Sequence, residues 1–185
     1  KELGAEVIEL PGISTVFREE NRELEEALLK ISSFDILAFT SPSGAGYFFQ
    51  FMQDRKMDIR RLSGVKLAAI GEGTAQVLRG RGLFPEYVPK VYDGKSLGIL
   101  LRDLAKENAG ILLPRAKEAG PELMQELSRR GDIRVTEIPL YDTVFTKHPL
   151  IDLGEEIKMG EVLEAVFTSA STVKGFAAAA GEADL

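Results

Sequence analysis

Short apolar runs rich in β-branched residues alternate along this chain with segments whose apolar residues recur every three or four positions, and this alternation limits the fold more than any other feature. The runs cover residues 6–10, 36–39, 66–70, 86–88, 111–114, 135–140 and 165–168. Between them, Leu24, Ala27, Leu28 and Ile31 fall at i, i+3, i+4 and i+7, as do Leu97, Leu100, Leu101 and Leu104. Each set predicts one apolar helical face. Pro121 stands where a helix would begin, and Gly131 lies one turn beyond its last periodic residue, Leu127. Strands separated by amphipathic helices run parallel, with helices on both faces of the sheet. The expected class is α/β, with a flavodoxin-like five-stranded order.

A recurrence divides the chain. Ala38-Phe39-Thr40-Ser41-Pro42-Ser43-Gly44 returns as Val166-Phe167-Thr168-Ser169-Ala170-Ser171-Thr172. In each copy an apolar strand enters a hydroxyl-rich turn and then a helical segment. The interval is too long for a solenoid and fits two similar lobes. Residues 14–140 read as a complete lobe, while 1–13 and 141–185 read as parts of a second, discontinuous one into which the first is inserted. Residues 9–13 and 139–145 would carry the crossings, a two-stranded linker that leaves a hinged cleft. Residues 1–10 read as the end of a helix entering a strand, so further sequence is expected before Lys1 and, by the abrupt finish at Asp184-Leu185, after it.

Composition narrows the chemistry. The absence of cysteine excludes disulfides, a thiol nucleophile and thiolate metal ligands, and fits a reducing cytoplasm. With His148 as its single histidine, the chain has no basis for a clustered zinc site. A net charge of −6 argues against nucleic acid as a partner. It leaves room for a small anion, because nearby donors outweigh distant charge beyond a screening length of about 8 Å. No apolar run reaches the roughly 20 residues of a membrane span.

The candidate site lies at strand ends. Thr40, Ser41, Ser43 and Gly44 follow one strand and open a helix, the place where α/β sheets bind ligands and where free N–H groups favour anions. Helix capping by the same hydroxyls is the competing assignment. Thr168, Ser169 and Ser171 repeat the pattern, and the repetition favours ligand binding. Gly71, Gly73 and Thr74 open another helix; Gln76 stands where a dinucleotide fingerprint needs its third glycine, so a second anion-binding turn fits better than a nucleotide site. Arg115 and Lys117 follow a further strand, each either a carboxylate partner or a solvated loop charge. Tyr141, in the return linker, is either a general acid or an amphipathic linker residue.

Together these segments resemble one family, uroporphyrinogen-III synthase. The resemblance runs through Phe34-Asp35-Ile36-Leu37-Ala38-Phe39-Thr40-Ser41, Ala69-Ile70-Gly71-Glu72-Gly73-Thr74-Ala75, Leu112-Leu113-Pro114-Arg115, Ile138-Pro139-Leu140-Tyr141-Asp142-Thr143 and the second Phe167-Thr168-Ser169. It implies two α/β lobes joined by a two-stranded ladder, one of them incomplete here, with the substrate hydroxymethylbilane in the cleft. It also implies a cytoplasmic, cofactor-free, metal-free monomer that closes this linear tetrapyrrole with loss of water. On that basis Tyr141 assists departure of the hydroxyl, and the turn amides and hydroxyls hold carboxylates. The alternatives are a non-catalytic two-lobed protein for small anions and, more weakly, a flavodoxin-like signalling domain, which would carry acidic strand ends where this chain has Ser, Thr and Gly.

Overall fold

Parallel pairing brings four of the apolar runs side by side. The computed structural model describes residues 13–145, 155, 159, 164–167 and 170–180. Within it β1 (Ile13–Phe17), β2 (Ile36–Phe39), β3 (Lys66–Ala69), β4 (Gly110–Ala116) and β5 (Arg134–Phe145) form one sheet in the order β1–β5–β4–β2–β3. β2 runs parallel to both β3 and β4, with Ala38 opposite Ala68 and Leu37 opposite Leu112, and β4 runs parallel to β5.

Side chains alternate across the sheet, as the two-residue strand period requires. Leu37, Phe39 and Leu112 enter one core with α1 (Arg22–Leu29), α2 (Pro42–Asp54) and α3 (Glu72–Arg79). Ile36, Ala38, Ile111 and Leu113 enter the other with α4 (Gly94–Leu104) and α5 (Glu122–Leu127). The first expected helical face is buried throughout, although Ile31 sits in a short 3₁₀ turn beyond α1. The second is shorter than expected: Leu97 and Leu101 are buried and Leu100 partly so, but Leu104 ends α4 at 54% exposure.

The α/β class is the observed one, but the strand order departs from the flavodoxin-like expectation. That order puts the third strand of the lobe beside its first; here β4 takes that place. Residues 86–88 supply only a parallel bridge from Tyr87 to Ala68, on the far side of β3 from β2. The chain divides into two compact units, Phe17–Asp142 and Lys1–Val16 with Thr143–Leu185. In the second unit α6 (Ala170–Ala180) is helical, and Phe167 packs edge-on against Phe176 with ring centroids 5.1 Å apart. The strand expected at 165–168 does not form at 165–167, where Val166 is exposed and lacks the burial that strand pairing would bring. The run at 6–10 and His148 lie outside the described residues.

Close packing on the α4–α5 side depends on one glycine. A Cβ on Gly98 would lie 2.8 Å from Cβ of Glu126 and 2.9 Å from the Leu123 carbonyl oxygen. Glu126, buried beside it, accepts from Arg102 at 2.8 Å and pairs with Arg129 at 2.9 Å. By contrast, a Cβ on Gly46, inside α2, would meet no described atom within 4 Å. Gly98→Ala should therefore lower stability by about 1–3 kcal/mol through overpacking. Gly46→Ala should raise it by up to about 1 kcal/mol through helix propensity. Urea unfolding midpoints check both, and equal shifts in one direction would contradict the packing described.

Candidate active site

Because β3, β2 and β4 are parallel neighbours, the turns that follow them share one edge of the sheet. After β2, Ser41 is the N-cap of α2 and its Oγ accepts from the Gly44 N–H at 2.9 Å, with Pro42 at the first helical position. The same Oγ lies 2.8 Å from the hydroxyl of Tyr141. A Cβ on Gly44 would sit 3.0 Å from that Oγ, 3.6 Å from the Pro114 carbonyl and 3.7 Å from Cε1 of Tyr141. Gly44 is thus the point where the turn after β2, the end of β4 and the tyrosine ring converge. After β3, Gly71 caps α3 without a side-chain bond, and a Cβ on Gly73 would lie 3.6 Å from Cγ of Pro42, so the second turn abuts the first.

Tyr141 reaches Ser41 through an irregularity in β5. Pro139 pairs with Arg115, but Ala116 pairs with Tyr141, so Leu140 is passed over. Strict alternation would send residues 140 and 141 to opposite faces; the bulge puts Ile138, Leu140 and Tyr141 in one core with Leu112. Four hydrogen bonds fix the segment. The Leu140 carbonyl accepts from the Arg18 N–H at 2.9 Å and the Tyr141 carbonyl from the Lys117 N–H at 3.0 Å. Asp142 takes both arms of the Arg18 guanidinium, at 2.7 and 2.8 Å, which holds its carboxyl below the usual range. Tyr141 is 6% exposed, and burial raises its phenol pKa while the bond to Ser41 offsets part of that rise. Tyr47 tilts against it at 5.4 Å and stacks on Phe17 at 4.9 Å.

The remaining candidates divide by environment. Thr40 is half-buried and Ser43 exposed; Ser43 lines a shallow concavity of about 550 Å³ along α2 with Gly46, Tyr47, Gln50, Gln53 and Arg81. Thr74 is 1% exposed and its hydroxyl has no partner among the described residues. Arg115 is 5% exposed, pairs with Glu137 at 2.9 Å and donates to the Gly120 carbonyl, while its Nε finds no described partner. The Lys117 ammonium stands in solvent, 4.0 Å from Asp142. Thr168 and Ser169 fall outside the described residues, and Ser171 is described only as helical backbone in α6. Among the described residues no His, Cys, Asp and Glu group is placed to hold a metal ion, and no helix is long and apolar enough to cross a membrane. Sequence reasoning missed Arg18 and Asp142; Asp142 adjoins the chosen tyrosine, but Arg18 lies 124 positions away with no local signal.

The family model described as uroporphyrinogen-III synthase HemD matches residues 1–185. The chain belongs to the uroporphyrinogen-III synthase family. It is 32% identical over 178 residues to a porphyrin biosynthesis protein HemD of Ruminiclostridium josui, covering 96% of this chain and 35% of that protein. It is 28% identical over 176 residues to a uroporphyrinogen-III synthase of Synechococcus elongatus, covering 94% of this chain and 65% of the relative. The chain thus spans less than two thirds of either. A crystal structure of a mutant uroporphyrinogen III synthase from Thermus thermophilus shares the fold with a TM-score of 0.70 at 22% identity, over 96% of this chain and 69% of that one. None of these likenesses favours the non-catalytic anion-binding alternative.

Two measurements test the site. Ser41→Ala removes the α2 cap as well as the partner of Tyr141 and should cost about 1 kcal/mol. Tyr141→Phe leaves the bond between Ser41 and Gly44 in place, so it should cost less. In an ultraviolet pH titration, the absorbance lost in Tyr141→Phe should belong to a phenol ionising above the range of free tyrosine. A midpoint at or below that range would mean a wet hydroxyl.

Proposed function

We propose that the protein of which this chain is part closes hydroxymethylbilane into uroporphyrinogen III, and that Tyr141 is its general acid. The observation that carries this reading is the Tyr141 hydroxyl held 2.8 Å from Ser41 Oγ at the edge where three turns meet. Hydroxymethylbilane is an open chain of four pyrroles bearing eight carboxylates. Loss of its terminal hydroxyl leaves an azafulvene cation, and unassisted closure then yields the symmetric isomer I. Attack through the substituted carbon of the last ring gives a spiro intermediate that fragments and recloses with that ring inverted, one water being lost overall.

The phenol carries its proton at neutral pH, as a donor to the departing hydroxyl must, although burial makes it a weaker acid than a free tyrosine. Ser41 would orient that phenol, and the Arg18–Asp142 pair would fix the strand that carries it. The turns with Thr40, Ser41, Ser43, Gly44, Gly71 and Gly73 would receive carboxylates through amides and hydroxyls, with Lys117 close by and Thr168, Ser169 and Ser171 supplying the matching turn. Thr74 and Arg115, whose polar groups are buried, would support those turns from beneath. Holding one folded conformer of the bilane is the larger part of the task, since positioning is worth about 7–11 kcal/mol in favourable cases. The same reading takes 14–140 as a lobe inserted into a discontinuous one formed by 1–13 and 141–185. Both lobes would be α/β, joined by two linker strands, in a cytoplasmic monomer that binds no nucleic acid and needs no cofactor.

The test is a product assay on the full-length parent protein, with fresh hydroxymethylbilane and separation of the oxidised isomers. Predominant isomer III is expected. Isomer I alone from folded protein would remove the synthase assignment. Tyr141→Phe should lower kcat by about 10²-fold, the lower end for general acid catalysis, with the urea midpoint little changed. An unchanged kcat would take the proton from Tyr141.

A further inference from the structure

Tyr92, in the loop between the Tyr87 bridge and α4, is 61% exposed and belongs to neither core, yet its ring has a seat built for it. A Cβ on Gly71 would lie 2.7 Å from Cγ of Tyr92 and 3.0 Å from Cδ2. The φ of Gly71 is −174°, extended backbone that any residue adopts, so conformation does not demand glycine there. The approach of the ring does. Glycine at 71 thus holds one side of an aromatic ring while leaving much of the ring in water.

The position of that ring gives it meaning. Gly71 is the N-cap of α3, on the edge where Gly73 meets Pro42 and where Ser41 meets Tyr141. Hydroxyls and amides on this rim suit carboxylates, but they offer no flat surface to the four rings of a tetrapyrrole. The first N–H groups of α3 receive no side-chain cap beside this seat. One substituted pyrrole could then lie on Tyr92 while its carboxylate reached those amides.

Building on the synthase reading, we propose that Tyr92 is a substrate-contacting residue whose exposed face stacks on a pyrrole ring of the bound tetrapyrrole. Aromatic pairs of this kind favour offset or edge-to-face contact with centroids about 4.5–7 Å apart. Contact of that sort holds ground state and transition state alike, so its loss appears in KM with kcat largely kept.

The experiment uses the full-length parent and initial rates with fresh hydroxymethylbilane. Tyr92→Ala should raise KM about two- to twelvefold, the range of an aromatic pair, with kcat within about twofold. Tyr92→Phe and Tyr92→Trp should restore KM, while Tyr92→Leu, apolar but without a π face, should resemble Ala. A wild-type KM in Tyr92→Ala overturns the stacking role and leaves the synthase reading standing. Should the Ala variant not fold, rescue by Leu as complete as by Phe overturns it equally, since bulk alone would then suffice. Wild-type protein that makes no isomer III overturns both.

Discussion

A parallel strand pair cannot be closed by a hairpin; each connection has to return over a face of the sheet before the next strand begins. For β3, β2 and β4 this places three carboxyl ends side by side, with strands about 4.8 Å apart. The turn residues are therefore neighbours in space although some 30 to 70 positions separate them in the sequence. Ser41 is the junction of this arrangement. One oxygen caps α2 and meets the phenol of a strand 100 positions away, so the start of the helix and the placement of the tyrosine are coupled through a single side chain.

Much of the frame is legible in the sequence because local pattern and burial agree. β2 occupies the expected residues and β3 differs by one, since runs such as Ile36-Leu37-Ala38-Phe39 can be satisfied only when buried on both faces. The hydroxyl-rich turns are legible too, because Ser41 and Pro42 form a helix start by chemistry alone. Residues 86–88 promise more than they deliver: Tyr87 has the aromatic character of a strand residue but makes only one bridge. β1 escapes the sequence pattern because Ile13-Ser14-Thr15-Val16-Phe17, directly after Pro11-Gly12, falls across the boundary between linker and lobe.

Partners are the illegible part of the site. Sequence leaves Arg115 as either a carboxylate partner or a solvated loop charge at a strand end; the structure buries its side chain, paired with Glu137 and donating to the Gly120 carbonyl. Thr74 likewise points into the protein behind the turn it is expected to serve. Both cases come from the two-residue alternation of strands and the first-turn geometry of helices, which decide direction after sequence has decided position. Tyr141 stands out in the sequence for its place in a linker; burial, beside Tyr47, is what makes its phenol hold its proton more tightly than a free tyrosine, and the bond to Ser41 takes back part of that effect.

The passed-over Leu140 has a consequence for how the protein tolerates change. A bulge is a counting device: it stores one residue that the ladder does not use, and every side chain after it depends on that surplus. Inserting a single residue between Arg115 and Ala116 would give Leu140 a partner and let β5 zip into regular register with little loss of pairing, yet the phenol would then alternate away from Ser41. Damage of this sort would look mild in a stability assay and in a comparison of sequences, where a one-residue gap in a strand passes for noise. The one-residue difference in length between β4 and β5 is therefore under a stricter constraint than the composition of either.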